Sequence, residues 1–345
     1  MGEFKRPLDV ALADENGPSA KKRQLIPTGF DRKGGMGARL TNLQSPIMLL
    51  QGHEGEIYSA RFAKDGTCLA SAGYDMKIFL WNVYDDCDNF AIIKGHMGAV
   101  MELQFTEDSE HLISCSTDKT VRLWDMETGA CVRRFKGHST FVNSVHPTRR
   151  GPLLICSGSD DGTIKIWDER KRDCIDTLQS TYQVTAVSFS DNAQTIFSGG
   201  IDNHVKMWDV RQSAVESRLP GHVDTVTGLA LSPDGSYLLS NSMDCTARIW
   251  DVRPFAPAER CVKTFQGHQH NFEKNLLRCA WSPDGHRVSC GSADRFAYVW
   301  EVAGTNIQFK LPGHQGSVNQ TDFHPKENIL LSAGSDKQIF LGEIK

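Results

Sequence analysis

The ten cysteines of this 345-residue chain include no CxxC pair and no Cys/His cluster at zinc-ligand spacing. Neither a dithiol redox centre nor a structural zinc is therefore expected. Several of them, Cys68, Cys115, Cys156 and Cys290 among them, fall inside apolar runs and read as small buried hydrophobes. No apolar stretch approaches the ~18 residues of a membrane span, and no segment has the pattern of a signal peptide. A reducing compartment, cytosol or nucleus, is the expectation. The net charge is only −4, which argues against blanket nucleic-acid binding. That charge is unevenly spread. Residues 1–45 carry eight Lys/Arg against five Asp/Glu, a net of +3 that leaves −7 for the remainder.

Residues 1–44 also lack hydrophobic periodicity and are rich in Gly, Lys, Arg and Asp. They bury too little apolar surface to offset ordering entropy and are expected to form a disordered basic tail. Lys5-Arg6 and Lys21-Lys22-Arg23 are separated by fourteen intervening residues. That spacing suits a two-part nuclear import signal, in which an extended backbone carries two basic clusters to separate acidic pockets.

What the chain does have is a repeat. Asp75, Asp118, Asp161, Asp202, Asp244, Asp294 and Asp336 each stand six residues ahead of one strand position. That position holds Trp81, Trp124, Trp167, Trp208, Trp250, Trp300 and, last, Gly342. Gly-His pairs precede six of the units, at a period of about 40–46 residues, the length of one four-stranded propeller blade. In the second unit, "VMELQF", "HLISCS", "TVRLWD" and "CVRRFKG" read as strands a, b, c and d separated by polar turns. The expected fold is all-β: a seven-bladed propeller over residues 45–345. "PIMLLQ" has no a, b or c strand ahead of it, and the last unit stops after strand c. The N-terminal strand should complete the last blade and close the ring, removing a free sheet edge.

Each unit also offers a His, a Ser and an Asp, which invites a nucleophilic reading. Catalysis needs one nucleophile in one cleft with an oxyanion site, and a constellation repeated around a ring supplies no such singular place. A structural role is expected instead: His bonds the turn Asp and the strand-b Ser, and the Ser holds the Trp indole. The sets are His96, Ser114, Asp118 and Trp124; His138, Ser157, Asp161 and Trp167; and His222, Ser240, Asp244 and Trp250. The fourth unit has Ser180 where His would sit, the sixth has Cys290 in place of Ser, and the seventh lacks the Trp. No enzyme activity, cofactor, metal or small-molecule substrate is expected.

Recognition should sit on loops held by the rigid ring. On the face carrying the d–a and b–c loops, called the top, Tyr74, Met97, Phe141, Tyr182, Ile201 and Met243 form an apolar rim, typical of interface anchors. Phe272 lies in "GHQHNFEKNLL", which lengthens one top loop by four residues. A second insertion, "WDVRPFAPAERCVKTF", lengthens a c–d connection on the opposite face. That face also carries a candidate basic rim, Arg149, Arg150, Arg170, Lys171 and Arg172, for an acidic segment or an RNA phosphate run. No aromatics interleave with it, which disfavours base stacking.

The repeat resembles the WD-repeat β-propeller family across residues 46–345. Stretches beyond the generic repeat, above all "RPFAPAERCVKTFQGHQHNFEKNLLRC" with "GGIDNHVKMWDVR" and "GSADRFAYVWE", are similar to WD-repeat subunits of the U5 small nuclear ribonucleoprotein. That resemblance implies a nuclear, non-catalytic, monomeric subunit of a hetero-complex. It would hold large U5 scaffold and helicase proteins together during pre-mRNA splicing, with any RNA contact indirect and no membrane involved. A different class is raised by "WDER" at 167–170 and "WDVR" at 208–211 and 250–253. These fit the WDxR pattern of substrate receptors for cullin–RING ubiquitin ligases, in which Arg170, Arg211 or Arg253 would face an adaptor.

Overall fold

In the computed structural model, which describes residues 41–345 and Ala11–Leu12, the turn Asp of six repeats acts first on its own backbone. Its Oδ1 accepts the N–H two residues on, at 2.9–3.3 Å from Lys77, Thr120, Thr163, Thr246, Phe296 and Gln338. A short carboxylate thereby stands in for a turn carbonyl. The residue between them is left-handed in all seven repeats, with φ of 61–74° at Met76, Lys119, Gly162, Asn203, Cys245, Arg295 and Lys337. Each turn reverses the chain from strand b into strand c.

The described residues form seven antiparallel sheets, one per repeat. In blade 2 they are Val100–Phe105, His111–Ser116, Thr120–Asp125 and Cys131–Lys136, matching the expected a, b, c and d strands. In blade 7, Ile47–Gln51 pairs antiparallel with strand c, Gln338–Glu343, in the register Ile47↔Gly342 to Gln51↔Gln338. The N-terminal strand closes the ring as expected. The packed body reaches further back than residue 45. Leu43 is buried, Thr41 bonds Glu343, and Asn42 donates to Glu327. Ala11–Leu12 adds a fifth strand beside the outer strand of blade 1, Asn89–Lys94. The rest of the expected tail, with Lys5, Arg6, Lys21, Lys22 and Arg23, lies outside the described residues.

The apolar core is seven wedges, each shared by two consecutive blades. Between blades 2 and 3, for example, Ile113, Val121, Leu123 and Phe135 meet Val142, Val145, Ile155 and Trp167. Both faces of a blade are therefore buried, which is why strand c alternates without a polar side: Thr120 to Trp124 are all buried. Around the channel, polar side chains of strand a clip each blade to the next. Asn143 donates to Val184 O at 3.1 Å, Thr227 to Leu277 O at 2.9 Å and Asn319 to Ile57 O at 2.7 Å.

Candidate protein-docking site

The His–Ser–Asp–Trp sets assemble in the structure. In blade 2, His96 Nδ1 lies 2.9 Å from Asp118, its Nε2 lies 2.6 Å from Ser114 Oγ, and Trp124 Nε1 donates to the same Oγ at 2.8 Å. Blade 3 repeats this with His138, Asp161, Ser157 and Trp167, and blade 5 with His222, Asp244, Ser240 and Trp250. The bonding pattern fits a neutral imidazole donating from Nδ1 while the Ser hydroxyl donates to Nε2. Burial lowers the pKa of His96 and His138, which keeps them uncharged although each faces a carboxylate. Against the upward push of burial, hydrogen bonds from Thr163, then His138, bring Asp161 down to about 2. Each Ser oxygen is buried and already serves two partners, so it has no opening toward a substrate.

The irregular blades are held in other ways. In blade 4, Lys206 extends from strand c to pair with Asp202 and donates to Ser180 at 3.1 Å, replacing the missing imidazole. In blade 7, where Gly342 leaves no indole, Phe340 meets His314 edge-on at 4.7 Å. Blade 6 is rewired. Tyr298 takes Asp294 at 2.6 Å, Trp300 turns its N–H to Gln266 O, and His268 is buried with neither ring nitrogen bonded.

On the top face, Tyr74, Met97, Phe141, Tyr182, Ile201 and Phe272 are exposed, the last at 90%. Met243 departs from the expectation: it is half-buried. The structure gathers only part of this rim. Tyr74 and Phe141 join Tyr58, Met76, Met101 and Leu276 around a cavity of about 470 Å³ at the mouth of the central channel. Met97, Tyr182, Ile201, Met243 and Phe272 do not line it. Three of its apolar residues carried a sequence signal. Tyr58 and Met101 occupy the second position of strand a, where blades 3, 4, 5 and 7 place Asn143, Thr185, Thr227 and Asn319. Leu276 ends the top insertion, whose Asn275 donates to Ser317 at 2.9 Å and draws the loop over blade 7.

Beneath the mouth, Arg278 runs into the channel, fully buried. It donates to Thr185 O at 3.1 Å, Thr227 O at 3.0 Å and Asn143 O, and stands 3.6 Å from Glu102. One guanidinium on blade 6 thus touches blades 2, 3, 4 and 5.

The bottom rim is less cationic than expected. Arg149 is turned inward, donating to Leu231 O and Ser232 O at 2.9 and 2.8 Å. Arg150 pairs with Asp191 at 3.1 Å, and Arg170 lies 4.0 Å from Glu169. Lys171 and Arg172 remain exposed. A long Arg next to a neighbouring blade finds buried carbonyls that a sequence position does not reveal. Of the WDxR arginines, Arg253 grips both oxygens of Asp251 and lies over the Tyr237 ring at 5.7 Å, while Arg211 projects outward.

Comparison with known proteins agrees with this architecture. The chain matches the WD domain, G-beta repeat family at residues 44–82, 88–125, 129–168, 172–209, 214–251, 259–301 and 305–341. It is 59% identical to the U5 small nuclear ribonucleoprotein 40 kDa protein of Homo sapiens, over 98% of this chain and 94% of that protein. The Dictyostelium discoideum protein of the same description is 46% identical, over 96% and 95%. The pre-mRNA-splicing factor cwf17 of Schizosaccharomyces pombe is 42% identical, over 95% and 96%. Seven blades, seven repeat matches and near full-length likeness together show that the chain belongs to the WD-repeat family and, within it, to the group of U5 small nuclear ribonucleoprotein 40 kDa proteins.

Proposed function

We propose that this chain is a non-catalytic scaffold subunit of the U5 small nuclear ribonucleoprotein acting in pre-mRNA splicing in the nucleus. It docks large scaffold and helicase proteins through the apolar mouth of its channel. The reading rests on full-length similarity to relatives named for that particle and for splicing. The observation that carries the docking role is the cavity of about 470 Å³ in which Tyr74, Met76 and Phe141 are left uncovered. A rigid ring with an aromatic- and Met-lined concavity fits an anchor side chain from a protein partner. The acidic body is consistent with contact to RNA through other subunits.

The test is affinity purification of the tagged full-length protein from nuclear extract, with identification of proteins and RNA. Recovery of U5 RNA with the large U5 proteins is expected, and the Tyr74→Ala, Phe141→Ala double variant should reduce it by about tenfold or more. Recovery of a cullin and its adaptor without spliceosomal RNA, lost on Arg211→Ala, would replace this reading with the ligase one.

A further inference from the structure

Six of the seven apolar wedges contain a tryptophan from strand c of the later blade: Trp81, Trp124, Trp167, Trp208, Trp250 and Trp300. The wedge between blades 6 and 7 does not, because Gly342 holds that position. In each of the six, the indole shares the wedge with one outer-strand residue of the preceding blade. Those residues, Leu50, Ile93, Phe135, Leu178, Leu219 and Phe265, are all buried. The matching residue of blade 6 is Leu311, at the end of strand d, Ile307–Leu311. It pairs with Ala297 as Ile93 pairs with Ile78, yet it is only half-buried.

The blade-7 side of the same wedge is open as well. A Cβ on Gly342 would meet no atom beyond its chain neighbours within 4 Å. Ile47 and Leu49 pair with Gly342 and Phe340, which puts them on the same face of the sheet. They are 59% and 37% exposed. Ser332 stands ten residues before Gly342, as Ser71, Ser114, Ser157, Ser198 and Ser240 stand before their Trp. Each of those five hydroxyls accepts an indole N–H at 2.7–2.8 Å. Ser332 Oγ meets His314 Nε2 at 3.0 Å but receives no indole, and it is 8% exposed where the others reach 3% at most. Phe340 does not close the gap. In blade 1, Phe79 holds its position, and Trp81 still stacks beside it at 5.8 Å.

We propose that this open slot between blades 6 and 7 is a binding site for a tryptophan side chain of a partner protein, separate from the channel mouth. The six filled wedges define the chemistry. A flat ring of indole size lies beside Phe340 and covers Leu311, with Ile47 and Leu49 at the outer edge, and its N–H donates to Ser332 Oγ. A phenylalanine would leave that buried acceptor without a donor. The indole must come from another protein. Residues 1–45 contain no Trp. Six of the chain's own Trp are buried in wedges, and the seventh, Trp281, gives its N–H to Ala230 O at 3.0 Å. Tryptophan is also among the side chains that contribute most to protein interfaces.

The test is a titration of N-acetyltryptophanamide against the full-length protein, followed by ligand-observed saturation-transfer NMR. Saturable binding is expected, and it should weaken about tenfold when the indole N–H is methylated. Gly342→Trp should abolish it, because the chain's own indole then takes the slot, and should raise the melting temperature by burying that ring. Ile47→Asp, on an exposed outer strand, should weaken binding about tenfold without unfolding the ring. The Tyr74→Ala, Phe141→Ala double variant should bind as wild type does, which separates this slot from the channel mouth. Absence of saturable binding, unchanged binding in Gly342→Trp and Ile47→Asp, or loss confined to the channel-mouth variant would overturn the proposal. So would a lower melting temperature for Gly342→Trp, since it would mean that the wedge has no room for an indole.

Discussion

His268 has a Gly before it like the other repeat histidines, but its Asp stands 26 residues on instead of 22 or 23, and it keeps none of their bonds. Cys290 replaces the Ser that would meet its ring, and Tyr298 has taken Asp294. Burial, with His270 adding to it, pushes its pKa down to about 3. The sign follows from linkage. The unfolded His takes a proton near pH 6.5 and the folded one does not, so its contribution is complete above pH 6.5 and declines as pH falls toward 3. At pH 5 this single group should remove about 2 kcal/mol of stability relative to pH 7.5. Urea midpoints at the two pH values measure it. His268→Phe keeps an aromatic edge against Trp300 and should flatten the difference. An unchanged pH dependence in that variant would place the effect elsewhere.

At the scale of the strand, Ile47–Gln51 is separated from its partner strand by nearly the whole chain, yet it forms the outer edge of blade 7. Deleting residues 46–51 exposes the unpaired edge of Gln338–Glu343 together with its buried Ile339 and Leu341. Such an edge templates pairing between chains. The deletion protein should aggregate and lose its cooperative melt, as scored by light scattering and calorimetry. A soluble variant melting as one unit would show that closure lies elsewhere. The blade-4 repair belongs to the same scale. A Lys four residues after the turn Asp is visible in the sequence, but its reach to Ser180 on the d–a loop depends on the pairing of strand c with its neighbours.

Across the whole molecule, Arg278 binds together blades that are far apart in sequence. Its contacts at Asn143, Thr185 and Thr227, with Glu102 nearby, span residues 102 to 278. Arg278→Met retains much of the volume but leaves three carbonyls without their donor and the buried Glu102 carboxylate without its cation. The cost is expected at about 3–5 kcal/mol. Thermal denaturation should show this as a lower but still single transition, because the wedges between blades remain. A second, separate transition would mean that the ring is less cooperative than its shared cores indicate.

The sequence by itself determined the blade count, the strands, the closure and the sets built on His96, His138 and His222. Those features depend on short spacings and on turn chemistry that each repeat carries within itself. It also showed the two insertions and most of the rim. It did not show that Arg149 points inward, that Met243 is half-buried, or that Tyr58, Met101 and Leu276 join Tyr74 and Phe141 around one cavity. Those outcomes belong to tertiary structure, because whether a long side chain finds a carbonyl, a carboxylate or open solvent is decided by neighbouring blades that only closure of the ring brings within reach.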